Sequence, residues 1–200
     1  LALAGFLSNE DIAKMPWVDA PKVEDLDVGR ELLVRLRAFE RMHGGTWKLT
    51  ERGKRLGVYP VHPRLSHMIQ QAAGVSGSFA RDACDLAALF EERELLFGGR
   101  VKHGADLEAR MVGLQSEGKD VLPQVRERVL KASEQLQVKV SLPRIEPGKE
   151  QDPSERKALS VLAAWAYPEL IAKADSKKKT QGQQAFALNN GSTVHVDARD

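Results

Sequence analysis

Two prolines, Pro60 and Pro63, force the chain to turn near residue 60, because each lacks a backbone N–H and disfavours helix in the residue before it. Before the turn, Thr50 can cap a helix that begins at Glu51. After the turn, Pro63 suits the first turn of a second helix. Apolar residues recur there at helical spacing, at Leu65, Met68, Ile69 and Ala72. The segment therefore predicts a short helix, a corner and a second helix.

Length and composition fit a globular chain of one or two domains. Of its 200 residues, 42% are hydrophobic and 29% are charged. No apolar run approaches the roughly 20 residues that span a bilayer, so we expect no membrane partner. Residues 1–7 also lack the basic flank and cleavage site of a signal peptide. We expect them to be the end of a helix in a longer chain, of which these residues are a fragment.

The cysteine count indicates the cellular compartment, and the net charge limits the kinds of partner that the chain can bind. The single cysteine, Cys84, cannot form an internal disulfide, which favours a reducing compartment and a small buried thiol. We expect an intracellular protein, with the cytoplasm as first choice and an organelle as the alternative. The net charge of +2, from 30 basic and 28 acidic side chains, is not that of a free-standing nucleic-acid binder. Any nucleic-acid contact must therefore be local or shared with other parts of a longer chain.

Residues 1–61 are predicted to form three helices and a small wing, which is the plan of a winged-helix domain. The longest helix is expected to reach from Val28 to Phe39, with its apolar side chains on one face. Trp17 lies in a proline-rich connector and should pack inward. The β-prone residues 46–49 should form one side of the wing.

The rest of the chain is predicted to be mainly helical. Residues 62–140 show the amphipathic helices of a bundle, and residues 141–153 have the proline-rich composition of a linker. Residues 154–200 should begin with a deeply buried helix that ends at Ala166. The polar residues 176–182 should form an exposed loop, and the Asn-Gly turn that follows predicts a β-hairpin. The fold class is thus mainly α: a winged-helix domain, then a helical bundle, with a small C-terminal β-hairpin.

Catalytic motifs are absent from the sequence. No glycine-rich loop ends in Gly-Lys-Ser/Thr, so these residues cannot cradle a triphosphate in that manner. The five histidines and the cysteine form no cluster with metal-ligand spacing, and His62 and His67 are poorly spaced to chelate from one helix face. We expect no metal, no cofactor and no catalytic residue in this chain by itself.

Basic residues cluster on either side of the proline corner. Such side chains supply salt-dependent affinity for phosphates, although a solvated face balanced by acidic neighbours has equal weight. Arg93 lies in a charged segment after a predicted buried helix, where a partner domain or RNA could contact it. The run of lysines at 177–179 is expected to be a solvated loop instead. The nucleic-acid-binding candidates are Lys48, Arg52, Arg55, Arg64 and Arg93.

Several segments, taken in order, resemble the helicase-associated region of DEAH-box RNA helicases, and together they look like its HrpB branch. Those of the first third are residues 18–21 (VDAP), 33–39 (LVRLRAF), 49–56 (LTERGKRL) and 60–68 (PVHPRLSHM). Those that follow are residues 84–96 (CDLAALFEERELL), 105–110 (ADLEAR), 166–172 (AYPELIA) and 186–191 (FALNNG). Each motif alone is moderately specific, and the resemblance rests on the occurrence of all of them in the family's order.

The resemblance implies an ATP-dependent RNA helicase whose two motor domains lie upstream and hold the ATP and the Mg²⁺. The complete protein would then be an enzyme that hydrolyses nucleoside triphosphates, whereas this fragment lacks the ATP site. Its winged helix would brace the motor domains. Its helical bundle would be of the ratchet type, which grips single-stranded RNA and couples it to the motor.

Two other interpretations stay open at this point. A winged-helix regulator would read duplex DNA with a basic recognition helix, for which residues 28–39 are the candidate. A helical interaction scaffold would bind no nucleic acid at all.

Overall fold

A computed structural model describes residues 1–43, 46–92, 94–98, 106–116, 118–142, 158–180 and 182–197. These residues are mainly helical and carry two small antiparallel sheets, so the coarse fold class is confirmed. The helices are α1 (Asn9–Ala13), α2 (Val23–Arg35), α3 (Glu51–Leu56), α4 (Pro63–Ala73), α5 (Gly77–Glu91), α6 (Leu107–Gln115), α7 (Pro123–Val140) and α8 (Ala158–Ala166). The strands are β1 (Phe39–Arg41), β2 (Trp47–Leu49), β3 (Ala172–Thr180), β4 (Gln183–Leu188) and β5 (Thr193–Asp197).

Internal contacts divide the chain into two compact units, Leu1–His67 and Met68–Asp200, and the boundary falls inside α4. The domain limits expected at residues 61, 140 and 153 stay predictions. The candidate Arg93 and most of the predicted linker lie outside the described residues. Among the described residues, no helix is both long and apolar enough to cross a bilayer.

A buried arginine organises the start of the first unit. The Arg30 guanidinium donates to Asn9 Oδ1 at 2.6 Å, to Asp27 Oδ1 at 3.1 Å and to the Leu7 carbonyl oxygen at 3.2 Å. It is 7% exposed, whereas Val28 is 69% exposed. The predicted apolar face of this helix is therefore wrong at Val28, because α2 turns a guanidinium inward where three oxygens satisfy it.

The end of α2 also differs from the prediction. The helix ends at Arg35, not at Phe39, and Arg37 adopts a left-handed conformation with φ of 56°. The chain then enters β1, which pairs with β2 so that Phe39 lies opposite Leu49. The strand predicted at residues 46–49 is confirmed as β2. Pairing with β2 takes Phe39 out of the helix, because the strand gives its backbone new partners.

Trp17 contradicts another expectation about this unit. Its indole N–H donates to the Ile12 carbonyl oxygen at 2.7 Å, but the residue remains 36% exposed. The side chain closes the end of α1 and does not pack inward. The indole is therefore held by its hydrogen bond rather than by burial of the ring.

The second unit is built on α5, which packs along α7. The helices predicted in this region are present as α5, α6 and α7. Burial raises the pKa of Cys84 to about 12, so the thiol stays protonated and is a core residue, as the sequence predicts. The buried apolar core between these helices consists of Ala88, Leu95, Leu96, Leu114, Val125 and Val129.

Two aromatic pairs hold α8 and the residues after it against α5. Trp165 contacts Phe79 edge to face, with ring centroids 5.4 Å apart, and Tyr167 contacts Phe90 in the same way at 5.9 Å. Such pairs add about 0.5–1.5 kcal/mol each beyond the burial of their area. Within α8, Leu162 and Ala166 are fully buried, but Val161 is 42% exposed, so the prediction of a deeply buried helix is wrong at that face.

A three-stranded antiparallel sheet ends the described chain, with the strand order β3-β4-β5. The predicted hairpin is confirmed as β4 and β5, and Gly191 has the positive φ that its turn requires. The loop expected at residues 176–182 is largely wrong, because β3 extends from Ala172 to Thr180. Pairing with β4 at Ala172–Ala174 and again at Lys179 and Thr180, with a register shift between them, overrides the low β-propensity of this segment.

Candidate nucleic-acid interface

The four described candidates lie in the first unit, on consecutive elements around the proline corner. Lys48 is on β2, Arg52 and Arg55 are on α3, and Arg64 is in the first turn of α4. Their structural surroundings differ, so the four side chains have different capacities to meet a phosphate.

Thr50 and Gly53 allow α3 to pack closely against the end of α2. The Thr50 hydroxyl oxygen accepts from the Gly53 N–H at 2.9 Å, which confirms the predicted cap. The same hydroxyl donates to the Arg37 carbonyl oxygen at 2.8 Å. A Cβ on Gly53 would lie 2.4 Å from the Ala38 carbonyl oxygen, so only glycine permits this approach. The short helix is therefore fixed in place by its own first turn.

Arg52 is engaged within the fold. Its Nε donates to the Leu36 carbonyl oxygen at 3.0 Å, and its Nη2 lies 2.7 Å from Nδ1 of His67. One guanidinium thus joins the end of α2, α3 and α4. Because these atoms are committed to the protein, Arg52 is the candidate least suited to direct contact with RNA.

The contact with Arg52 determines the protonation state of His67. A guanidinium only donates hydrogen bonds, so Nδ1 must accept and the ring proton must sit on Nε2. Burial, and to a lesser degree the charge of Arg52, lowers the pKa of His67. Both causes favour a neutral imidazole at this position.

Lys48 is exposed but faces an acidic residue. It lies directly opposite Glu40 in the β1–β2 ribbon, on the face away from Trp47. The Trp47 ring lies 6.1 Å from the ring of Phe39, and the guanidinium groups of Arg30 and Arg41 lie 5.8 and 5.9 Å from its centroid. One face of the ribbon is thus an aromatic and cationic cluster, and the other carries opposite charges that partly cancel.

Arg55 and Arg64 lie on the two helices that flank the proline corner. Arg55 follows Arg52 by three residues on α3, and Arg64 precedes His67 by three residues on α4. Residues three apart share a helix face, so both arginines lie one turn nearer the corner than the Arg52–His67 contact. Arg55 is exposed, and Arg64 is partly exposed.

The acidic neighbour of Arg55 is already engaged by another side chain. Lys54 Nζ lies 2.6 Å from Glu51 Oε1, and this hydrogen bond, followed by the Lys54 charge, lowers the pKa of Glu51. The carboxylate on the first turn of α3 thus pairs with Lys54, and the Arg55 charge acts on it less strongly. The Arg55 charge can therefore face a phosphate with less competition from its own helix.

The charged segment after α5 makes contacts inside the second unit. Glu92 pairs with Arg128 on α7 at 3.3 Å, and Glu94 pairs with Arg110 on α6 at 2.7 Å. Arg93 between them lies outside the described residues. The described acidic side chains of this segment hold the bundle together, and the sequence alone did not indicate that function.

Sequence reasoning also missed Arg30, His67 and Arg41 as functional or organising residues. Arg30 resembles any other charge on an amphipathic helix, and only the tertiary contacts reveal its burial. The hydrogen bond of His67 joins residues fifteen positions apart and leaves no periodic signal. Arg41 faces Trp47 because of the strand register, which the sequence did not specify.

The described residues contain no group of three or more His, Cys, Asp or Glu side chains able to hold a metal ion. In comparisons with known proteins, no family model matches the chain. A stretch of 69 residues, 33% of the chain, is 41% identical to the ATP-dependent RNA helicase HrpA homolog of Haemophilus influenzae. The match covers 5% of that protein's length. The likeness is thus to a small part of an ATP-dependent RNA helicase.

Proposed function

We propose that this chain is a helicase-associated module that binds single-stranded RNA and couples it to the motor domains of an ATP-dependent RNA helicase. The observation that carries the proposal is the 69-residue stretch 41% identical to an ATP-dependent RNA helicase HrpA homolog. The motor domains would belong to the same polypeptide and would hold ATP and Mg²⁺. In this interpretation the first unit is a winged helix, the helices of the second are a ratchet-type bundle, and the module belongs to the HrpB branch.

The RNA-binding surface in this proposal is the corner between α3 and α4. Arg55 and Arg64 supply the phosphate contacts, and Lys48 adds a weaker one because Glu40 lies opposite it. With a net charge of only +2, the chain depends on such local placement rather than on a general positive field. The module thus contributes grip, while the motor domains carry out the phosphoryl chemistry.

Fluorescence anisotropy with a labelled single-stranded oligonucleotide tests this surface. We expect Arg55→Gln and Arg64→Gln each to weaken binding by about five- to tenfold, which corresponds to the loss of one charge-assisted contact. Arg35→Gln is the matched control, because Arg35 is an exposed arginine on α2 that pairs with Glu31 at 3.6 Å. Equal losses in all three variants would contradict the assignment.

The regulator alternative is weakened by the charges on α2, its candidate recognition helix. Arg30 is buried, and Arg35 pairs with Glu31. The exposed residues of the helix include Glu24 and Asp25. These two carboxylates oppose the phosphates of a duplex. Preference for duplex DNA over single-stranded RNA would nevertheless favour a regulator, and no binding to either would favour an interaction scaffold.

A further inference from the structure

We propose that the Arg52–His67 hydrogen bond is a pH-sensitive latch: it sets the spacing of the Arg55 and Arg64 guanidinium groups, and protonation of His67 opens it. The effect of the latch on RNA binding rests on the proposed function. The latch itself rests only on the contacts among α2, α3 and α4. In this assignment Arg52 is a positioning residue and not an RNA contact.

The latch requires a neutral His67. Arg52 Nη2 lies 2.7 Å from Nδ1, and a guanidinium has no lone pair to offer, so the imidazole must be the acceptor. A second proton on the ring would occupy Nδ1. The hydrogen bond would then be lost, and two cations would stand at contact distance.

Arg52 is held in place on its other side. Its Nε donates to the Leu36 carbonyl oxygen at 3.0 Å, so the guanidinium is anchored to the end of α2 as well as to α4. Two charged groups lie near the His67 ring. Arg52 faces it from α3, and Arg64 lies one turn away on α4 itself. Both of these groups are cations, and the Arg52 charge opposes a proton on the ring. Protonation therefore acts by pushing the His67 ring away from Arg52.

The consequence for the corner follows from helical spacing. Arg55 lies one turn beyond Arg52, and Arg64 lies one turn before His67, so the latch fixes the two helix faces that carry these arginines. While the latch is closed, the arginines have one spacing and can contact neighbouring phosphates together. When the latch opens, RNA affinity falls, because the two cations are no longer pre-positioned.

Nuclear magnetic resonance of the 200-residue chain tests the latch without RNA. At pH 7.5 the ring of His67 should show the tautomer protonated at Nε2, and its protonation below pH 6.5 should shift the Nε signals of Arg55 and Arg64. His67→Gln is the matched variant, because its amide oxygen can accept from Arg52 at every pH. The latch would be overturned by an Nδ1-protonated ring at pH 7.5. It would also be overturned if the two arginine signals shifted as much in His67→Gln.

Binding to a labelled single-stranded oligouridylate tests the consequence. Between pH 8.0 and pH 5.5, the wild-type chain should lose about two- to tenfold in affinity relative to His67→Gln, the worth of one net hydrogen bond. Arg52→Lys keeps the charge, but lysine lacks the planar guanidinium that donates to both Leu36 and His67. The variant should therefore weaken binding at both pH values. If the ratio of the wild-type affinity to the His67→Gln affinity were equal at both pH values, the positioning assignment would be overturned.

The experiments distinguish a failure of the proposed function from a failure of the latch. A wild-type chain that bound no RNA at either pH would overturn the proposed function and, with it, the effect of the latch on RNA. The tautomer and titration of His67 would still decide whether the latch exists.

Discussion

Ser133 on α7 donates its hydroxyl proton to Asp85 Oδ1 on α5 at 2.5 Å, and Gln137 Nε2 donates to the Ser133 hydroxyl oxygen at 3.0 Å. Burial raises the pKa of Asp85 from 3.8 to about 6, against the opposing effects of the Ser133 hydrogen bond and the Arg81 charge. A titratable carboxyl thus lies between the two helices that form the centre of the second unit.

Asp85 should make the second unit less stable as pH rises. Between pH 4 and pH 6 the folded state keeps a proton that the unfolded chain releases, so its contribution is greatest at low pH and is lost through pH 6. Relative to Asp85→Asn, the wild-type free energy of unfolding should fall by about 2–3 kcal/mol from pH 4 to pH 7, at about 1.36 kcal/mol per pKa unit. Urea unfolding at both pH values measures this change.

Asp19→Asn is the control for this experiment, because Asp19 lies on an exposed connector. The stability difference between wild type and Asp19→Asn should stay nearly constant over the same range. A wild type that gained stability over Asp85→Asn on going to pH 7 would show that the carboxyl is stabilised as an anion.

Gly53 and Gly29 should respond in opposite directions to replacement by alanine. A Cβ on Gly53 would lie 2.4 Å from the Ala38 carbonyl oxygen and 2.6 Å from Leu49 Cδ1, so Gly53→Ala should destabilise the first unit by about 1–3 kcal/mol. Gly29 lies within α2 and has open space around it, so Gly29→Ala should add about 0.5–1 kcal/mol through helix propensity. Thermal unfolding of both variants tests the close approach of α3, and a stabilising Gly53→Ala would refute it.

Arg30→Gln should destabilise the first unit far more than Arg35→Gln. The buried guanidinium satisfies the side chains of Asn9 and Asp27 and the carbonyl of Leu7, and glutamine cannot reach all three. We expect a loss of about 2–4 kcal/mol at Arg30 and less than about 0.5 kcal/mol at the exposed Arg35 pair. Equal losses in chemical denaturation would mean that the three contacts of Arg30 contribute no more than a surface ion pair.

Local features of the fold could be predicted from the sequence because they depend on nearby residues. The Thr50 cap, the helix that starts at Pro63 and the turn at Gly191 each follow from the chemistry of a few consecutive residues. Helical periodicity likewise located α5 and α7.

The features that were missed depend on tertiary partners. β3 has a lysine-rich sequence that predicts a loop, and it is a strand because β4 lies beside it. Arg30 is buried because three oxygens from different segments converge on it. At the candidate site, the cluster of basic residues was visible in the sequence. The sequence did not show that Arg52 is hydrogen-bonded within the protein whereas Arg55 is exposed.

Within a helicase that contains this chain, the proline corner should affect coupling more than nucleotide binding. Pro63→Ala combined with Arg64→Gln should reduce RNA-stimulated ATP hydrolysis by about tenfold, since it removes one phosphate contact and loosens the start of α4. The dissociation constant for nucleotide should not change. If nucleotide affinity collapsed while RNA stimulation survived, the corner would not have the proposed role.

The salt dependence of single-stranded RNA affinity tests the central claim most directly, because it counts the phosphates that the chain neutralises. For the wild-type chain and for the double variant Arg55→Gln/Arg64→Gln, the logarithm of the affinity would be measured against the logarithm of the salt concentration. We expect the slope of the double variant to be shallower by about 1.4, at about 0.7 per phosphate contact, and the slope of Arg35→Gln to be unchanged. Equal slopes for wild type and double variant would contradict the assignment of this corner as the RNA-binding surface.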